Sequence, residues 1–185
     1  MKGASYPLES SFPLPHPIVL QLVGYKNSGK TTLIIDLIRR LKQDGYSVGT
    51  AKHDAHHYQM DYPGTDSWKH QEAGADVTAI TSANQSTILR SFSESLPALL
   101  KQMNEVHIVL VEGFKQESYP KLILIRSEED FTLLEVVSNP IAVIVWPQAW
   151  AAWHTANKAG DSYPLPCFAI SSTNEIYAFL SSHFF

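Results

Sequence analysis

The chain has 185 residues, 44% of them hydrophobic, long enough for one well-buried core. A net charge of −4, with basic residues dispersed along the chain, excludes the electrostatic footprint of a nucleic-acid binder. A single cysteine, Cys167, excludes an internal disulfide or a thiolate cluster within one chain, and its apolar neighbours suggest a buried thiol. No apolar run approaches the roughly 20 residues of a membrane span. The N-terminal MKGASYPLESSFPLPHP has no apolar h-region of a secretory signal, so residues 1–16 are expected to be a flexible, proline-rich lead-in. A cytoplasmic protein with one domain over 17–185, bound neither to nucleic acid nor to membrane, is the expectation.

In chain order, PIVLQLVG is an apolar, β-branched run of the buried-strand type. GYKNSGKTT at 24–32 follows, and then TTLIIDLIRRLKQDG, with Leu33, Leu37, Ile38 and Leu41 at helical spacing and a stop at Gly45. YSVGTAKH predicts a second strand. DAHHYQMDYPGTD is a polar loop, and SWKHQEAGAD a short helix capped by Asp66 or Ser67. VTAITSA and STILRSF flank Asn84–Gln85 as a strand pair. SLPALLKQMNE is helical, with Pro97 in its first turn, and VHIVLVEGF is a second buried-type strand closed by Glu112–Gly113. YPKLILIR and FTLLEVV are strand-like, and PIAVIVW is another buried strand. A weak helix over AWAAWHTANKAG, a strand at PCFAI and a helix over NEIYAFLSSHF complete the pattern. Unbroken apolar strands alternating with helices imply an α/β fold, a mostly parallel central sheet flanked by helices. The segment around 119–137 departs from that alternation and suggests an extra β segment, either an inserted lobe or an edge used in dimerisation.

Residues 24–31 satisfy G-x-x-x-x-G-K-[ST], and strand, loop and helix come in the order of a P-loop NTPase. The backbone N–H groups of such a loop converge on one concavity and replace the hydration of a phosphate tail. Gly24, Tyr25, Lys26, Asn27, Ser28, Gly29, Lys30, Thr31 and Thr32 are therefore the candidate nucleotide-binding residues. Lys30 would meet the β- and γ-phosphates, and the Thr31 hydroxyl would ligate Mg²⁺. Glu112, at the end of an apolar strand, is the expected acid for the metal or the attacking water. Asp54, after the second strand, is a second candidate for metal binding and for orienting a nucleophile. Lys52 and Lys115 stand near the two strand ends, where they could neutralise phosphate charge. His53, His56, His57 and His70, with Asp54, Asp61 and Asp66, are the densest group of potential metal ligands, although their spacing matches no closed tetrahedral signature. The only arginines are Arg39, Arg40, Arg90 and Arg126, few for a phosphoryl-transfer kinase, and the first two are expected to lie away from the phosphates.

GYKNSGKTTL, TAKHDAHH, DYPGTDSWKHQEAGAD and LVEGFK, in this order, resemble the molybdopterin-guanine dinucleotide biosynthesis protein B family, MobB. The resemblance spans about residues 18–145. It implies a homodimeric GTP-binding protein with weak Mg²⁺-dependent GTPase activity. Such a protein works beside the molybdenum cofactor guanylyltransferase, which attaches GMP to molybdopterin. Carried over by position, Gly24 through Thr32 form the nucleotide site, with Asp54 and Glu112 near the Mg²⁺. The loop from His53 to Asp66 borders the pocket and is placed to receive molybdopterin, its guanine dinucleotide or the partner enzyme. No N-K-x-D reader of guanine is present, so guanine over adenine rests on the resemblance. Two alternatives stay open on the residues: a metallochaperone GTPase for nickel or a similar metal, and a small-molecule kinase.

Overall fold

PIVLQLVG forms strand β1 (Ile18–Val23), which lies inside a six-stranded sheet in this computed structural model. The structure describes residues 17–53, 60–158 and 164–184. The expected lead-in over 1–16 lies outside them. After β1 come α1 (Lys30–Gln43), β2 (Val48–Lys52), α2 (Asp66–Glu72), β3 (Val77–Thr81) and β4 (Ser86–Arg90). Next are α3 (Leu96–Lys101), β5 (Ile108–Glu112), β6 (Lys121–Ile125), a 3₁₀ turn (Glu128–Thr132) and α4 (Leu133–Val136). β7 (Pro140–Val145), α5 (Pro147–Lys158), β8 (Cys167–Ala169) and α6 (Thr173–Phe184) complete the described chain.

The sheet order is β2-β5-β1-β6-β7-β8, and each neighbouring pair is parallel. Side chains alternate across such a sheet, and here both faces are covered, which is why its strands read as unbroken apolar runs. Leu20, Leu22, Leu110, Leu122 and Ile144 face Leu33, Leu37 and Leu41 of α1 and Ile176 and Leu180 of α6. On the opposite face, Val109 and Val111 meet Leu96 and Leu100 of α3. Further along that face, Ile123, Ile125 and Val143 meet Leu133, Leu134 and Trp153. Helix α1 gives way to Gly45, whose φ of 88° is the left-handed conformation that ends helices.

Residues 119–137 are not an extra β segment. LILI belongs to β6, which is hydrogen-bonded inside the main sheet between β1 and β7. FTLLEVV is helical. The Asp130 carboxylate accepts the N–H groups of Arg126 at 2.6 Å and Ser127 at 3.2 Å, and so closes the turn that leads into α4. Leu133, Leu134 and Val137 then fall at helical spacing on the core. The β structure outside the main sheet is the antiparallel pair β3–β4, as the strand pair around Asn84–Gln85 predicts. The cap of α2 is Thr65 rather than Asp66 or Ser67: its hydroxyl accepts the Trp68 N–H at 3.3 Å.

The link from β5 to β6 explains two buried polar side chains. Leu22 pairs with Glu112 on one side of β1, and Gln21 pairs with Lys121 on the other. Residues 113–120 therefore leave and re-enter the sheet at nearly the same level. They cross β1 over a gap of two strand spacings, about 10 Å. Parallel strands of one sheet are usually joined through a helix that runs back along it; here a short strap suffices because β6 starts at the level where β5 ends. Backbone carbonyls pressed onto a sheet need partners. Gln21, 0% exposed, donates from Nε2 to the carbonyls of Gly113 (3.0 Å) and Phe114 (2.9 Å). Lys121, also 0% exposed, donates from Nζ to the carbonyls of Glu117 and, at 2.9 Å, Tyr119. Burial pushes the Lys121 pKa down, opposed by the charge of Glu117.

Candidate functional site

The loop between β1 and α1 is tight because glycine lets it be. A Cβ on Gly24 would stand 2.4 Å from Ser28 Oγ and 3.1 Å from the Leu124 carbonyl oxygen. Asn27 (φ 61°) and Gly29 (φ 93°) are both left-handed, and Gly29 opens α1. Lys30 Nζ folds back onto this loop, donating to the carbonyls of Gly24 (3.0 Å) and Tyr25 (2.8 Å) and to Ser28 Oγ (3.4 Å). Partial burial pushes the Lys30 pKa down; the Glu112 carboxylate opposes the shift, and the like charges of Lys115 and Lys52 add to it.

Of the residues expected to act together, Thr31, Glu112, Lys30 and Lys52 converge. The Thr31 hydroxyl donates to Glu112 Oε2 at 3.0 Å, and Lys52 Nζ lies 3.8 Å from Glu112 Oε1. Sheet register accounts for the second contact, since Lys52 and Glu112 are paired at the C-terminal ends of β2 and β5. Lys115 follows the left-handed pair Gly113 (φ 88°) and Phe114 (φ 53°), and its Nζ sits 4.3 Å above the ring of Tyr25. Two hard oxygen donors beside the loop lysine fit a divalent cation such as Mg²⁺.

Other loop contacts come from residues that sequence patterns did not single out as site residues. Trp146, just after β7, donates its indole Nε1 to the Ser28 carbonyl at 2.8 Å. Arg126, just after β6, donates to the Asn27 carbonyl at 3.3 Å and sits 5.7 Å from the Trp146 ring. Their signal was positional: the C-terminal ends of parallel strands converge where α/β sheets bind ligands. The loop opens into a cavity of about 950 Å³, bounded further along by Ile35, Asp36, Arg39 and Thr173. Arg39 borders this cavity from the later turns of α1. Residues 32, 35, 36 and 39 share one helical face. Arg40 instead binds Asp36 at 2.7 Å and Thr173 and Asn174 at the start of α6.

Asp54, His56 and His57 lie outside the described residues. Among the described residues no three metal-ligating side chains come together. Asp61 is occupied within its own turn, accepting from the Tyr62 N–H, the Thr65 hydroxyl and the Gln71 amide. Asp66 pairs with Lys69 at 3.0 Å, and the His53 ring packs edge-on to Phe114. Cys167 is a half-buried thiol whose pKa is pushed up to about 11 by burial, an unreactive state. No helix among the described residues is long and apolar enough to cross a membrane.

A family model described as molybdopterin guanine dinucleotide synthesis protein B, MobB, matches residues 19–146. The chain belongs to this family. It is 39% identical over 134 residues to a probable molybdopterin-guanine dinucleotide biosynthesis adapter protein of Bacillus subtilis, covering 70% of this chain and 76% of that protein. It is 37% identical over 129 residues to the molybdopterin-guanine dinucleotide biosynthesis adapter protein of Haemophilus influenzae, covering 68% and 72%. The crystal structure of B. subtilis MobB aligns with a TM-score of 0.69 at 31% identity, over 88% of this chain and 96% of that one. A MobB homologue from Bacillus stearothermophilus aligns with a TM-score of 0.68, also at 31% identity, over 89% and 96%. The chain has the expected P-loop NTPase fold, a parallel sheet flanked by helices with the glycine loop between β1 and α1.

Proposed function

We propose that this MobB-family chain is a GTP-binding accessory protein of molybdenum cofactor maturation, with slow GTPase activity, assisting formation of molybdopterin guanine dinucleotide. The names of its relatives support the pathway. The observation that carries the site is the 3.0 Å bond from Thr31 to Glu112 beside the Lys30 ammonium. Gly24 through Thr32 would cradle the phosphates, with Lys30 at the β- and γ-groups. Thr31 and Glu112 would hold Mg²⁺, which when bound neutralises phosphate charge. Asp54 is the proposed second carboxylate, from its place after β2. Water attacks the γ-phosphorus in line, the bond to the β–γ bridging oxygen breaks, and GDP and phosphate leave. Glu112 or Asp54 would accept a hydrogen bond from that water and orient it.

The partners on this reading are the molybdenum cofactor guanylyltransferase and molybdopterin or its guanine dinucleotide, in the cytoplasm. A homodimer fits the β3–β4 ribbon, which exposes Val77, Ile80 and Ile88. We treat residues 17–185 as one nucleotide-binding domain. Titration of the purified protein with GTP and with ATP, each with Mg²⁺, tests the reading, with tighter GTP binding expected. Equal affinities would remove guanine specificity, and fast basal hydrolysis would sink the picture of a partner-dependent site.

A further inference from the structure

We propose that Lys115 is a second phosphate-binding cation of this site, presented to the loop by the 113–120 strap and reading the terminal phosphate of a nucleoside triphosphate. This rests on the phosphate-site reading above and adds a residue to it. The strap is pinned on both sides of residue 115. Gln21 holds the carbonyls of Gly113 and Phe114 before it, and Lys121 holds those of Glu117 and Tyr119 after it. Both anchors are fully buried, so residue 115 emerges from a fixed backbone. The left-handed Gly113–Phe114 pair turns the chain, and Lys115 Nζ comes to rest over Tyr25, itself a residue of the glycine loop.

The two strand-end lysines are not equivalent. Lys52 faces the Glu112 carboxylate at 3.8 Å, whereas Lys115 forms no ion pair among the described residues and rests on an aromatic face. A contact with a ring face holds a cation less firmly than a phosphate would. The charges of Lys115 and Lys30 act on each other unfavourably, and a polyphosphate between them would relieve that repulsion. The arginine nearest the loop, Arg126, already donates to Asn27. A lysine is a compact point charge on a flexible stem, suited to following a terminal phosphate.

The test is the affinity of the full chain for GTP and GDP, each with Mg²⁺, in the wild type, Lys115→Ala and Lys115→Arg. Losing one charge-assisted contact should weaken GTP binding by about tenfold. GDP binding should change by less than about twofold, which also shows that the variant is folded. Lys115→Arg should recover most of the loss. Gln21→Met, which removes the anchoring donor at similar volume, should produce a smaller loss of the same triphosphate-selective kind. Equal weakening of GTP and GDP, or no weakening, would overturn the role of Lys115 and leave the phosphate site standing. A wild-type protein that binds neither nucleotide would overturn both.

Discussion

Trp146 and Ser28 stand 118 positions apart in the chain and are joined by a 2.8 Å hydrogen bond from the indole to the carbonyl. The bond ties the glycine loop to the end of β7, so the loop is braced by the sheet on that side. The same indole lies 3.3 Å from where a Cβ of Gly29 would be. Trp146→Phe removes the donor and leaves the carbonyl without it, which should cost about 1 kcal/mol of stability. Triphosphate affinity should fall severalfold as the loop loosens. Thermal melting and nucleotide titration check both, and unchanged binding would show that the brace has no bearing on the ligand.

Thr31→Ala and Glu112→Gln should each weaken Mg²⁺-dependent nucleotide binding by about tenfold, while binding without Mg²⁺ changes little. Because the two side chains touch, their effects should not add. A double-mutant cycle read from titrations at several Mg²⁺ concentrations measures the coupling. Strict additivity would mean that they do not serve one ion.

Gly24→Ala should destabilise the fold by about 1–3 kcal/mol, because the added methyl group would stand 2.4 Å from Ser28 Oγ and 3.1 Å from the Leu124 carbonyl oxygen, so that the loop must shift. Gly45→Ala meets no atom within 4 Å, and its penalty comes from the positive φ alone, about 1 kcal/mol. Denaturant unfolding of the two variants separates crowding from backbone strain.

Local patterns carried the strand, glycine loop and helix at the start of the fold well. β1, the glycine loop and α1 are contiguous in sequence, so spacing alone orders them, and Glu112 ends a short, β-branched apolar run of the buried-strand type. Long-range convergence was less legible. Trp146 and Arg126 reach the loop only once β6 and β7 have been laid beside β1, and no spacing encodes that. Residues 119–137 misled for a related reason. LILI is a correct strand signal, but a link without a helix hides its place in the parallel sheet. FTLLEVV has strand-like composition, and the Asp130 side chain, by binding the N–H groups of Arg126 and Ser127, shapes it into a turn and a helix.

Tyr177 makes alkaline stability testable. Burial, then its 2.6 Å hydrogen bond to Asp44, pushes its pKa from 10.0 up to about 12. The folded phenol keeps its proton where the unfolded one has lost it. Its contribution is therefore complete below pH 10.0 and drains away as the pH rises toward about 12. Tyr177→Phe should be less stable than wild type at pH 7 and should lose less stability across that alkaline window. Denaturant melts at stepped pH compare the slopes, and parallel slopes would refute the assignment.

The strap also sets a limit on how this chain can change length. Residues 113–120 have no slack: both ends are fixed by strand register, and their carbonyls are matched to two buried donors. An inserted residue would shift every later carbonyl off its donor and rotate position 115 away from the loop. The turn at Ser82–Gln85, which joins two exposed strands, can absorb such an insertion without disturbing anything buried. Gaps and insertions should therefore be tolerated in the ribbon and forbidden across β1, a constraint on spacing rather than on residue type.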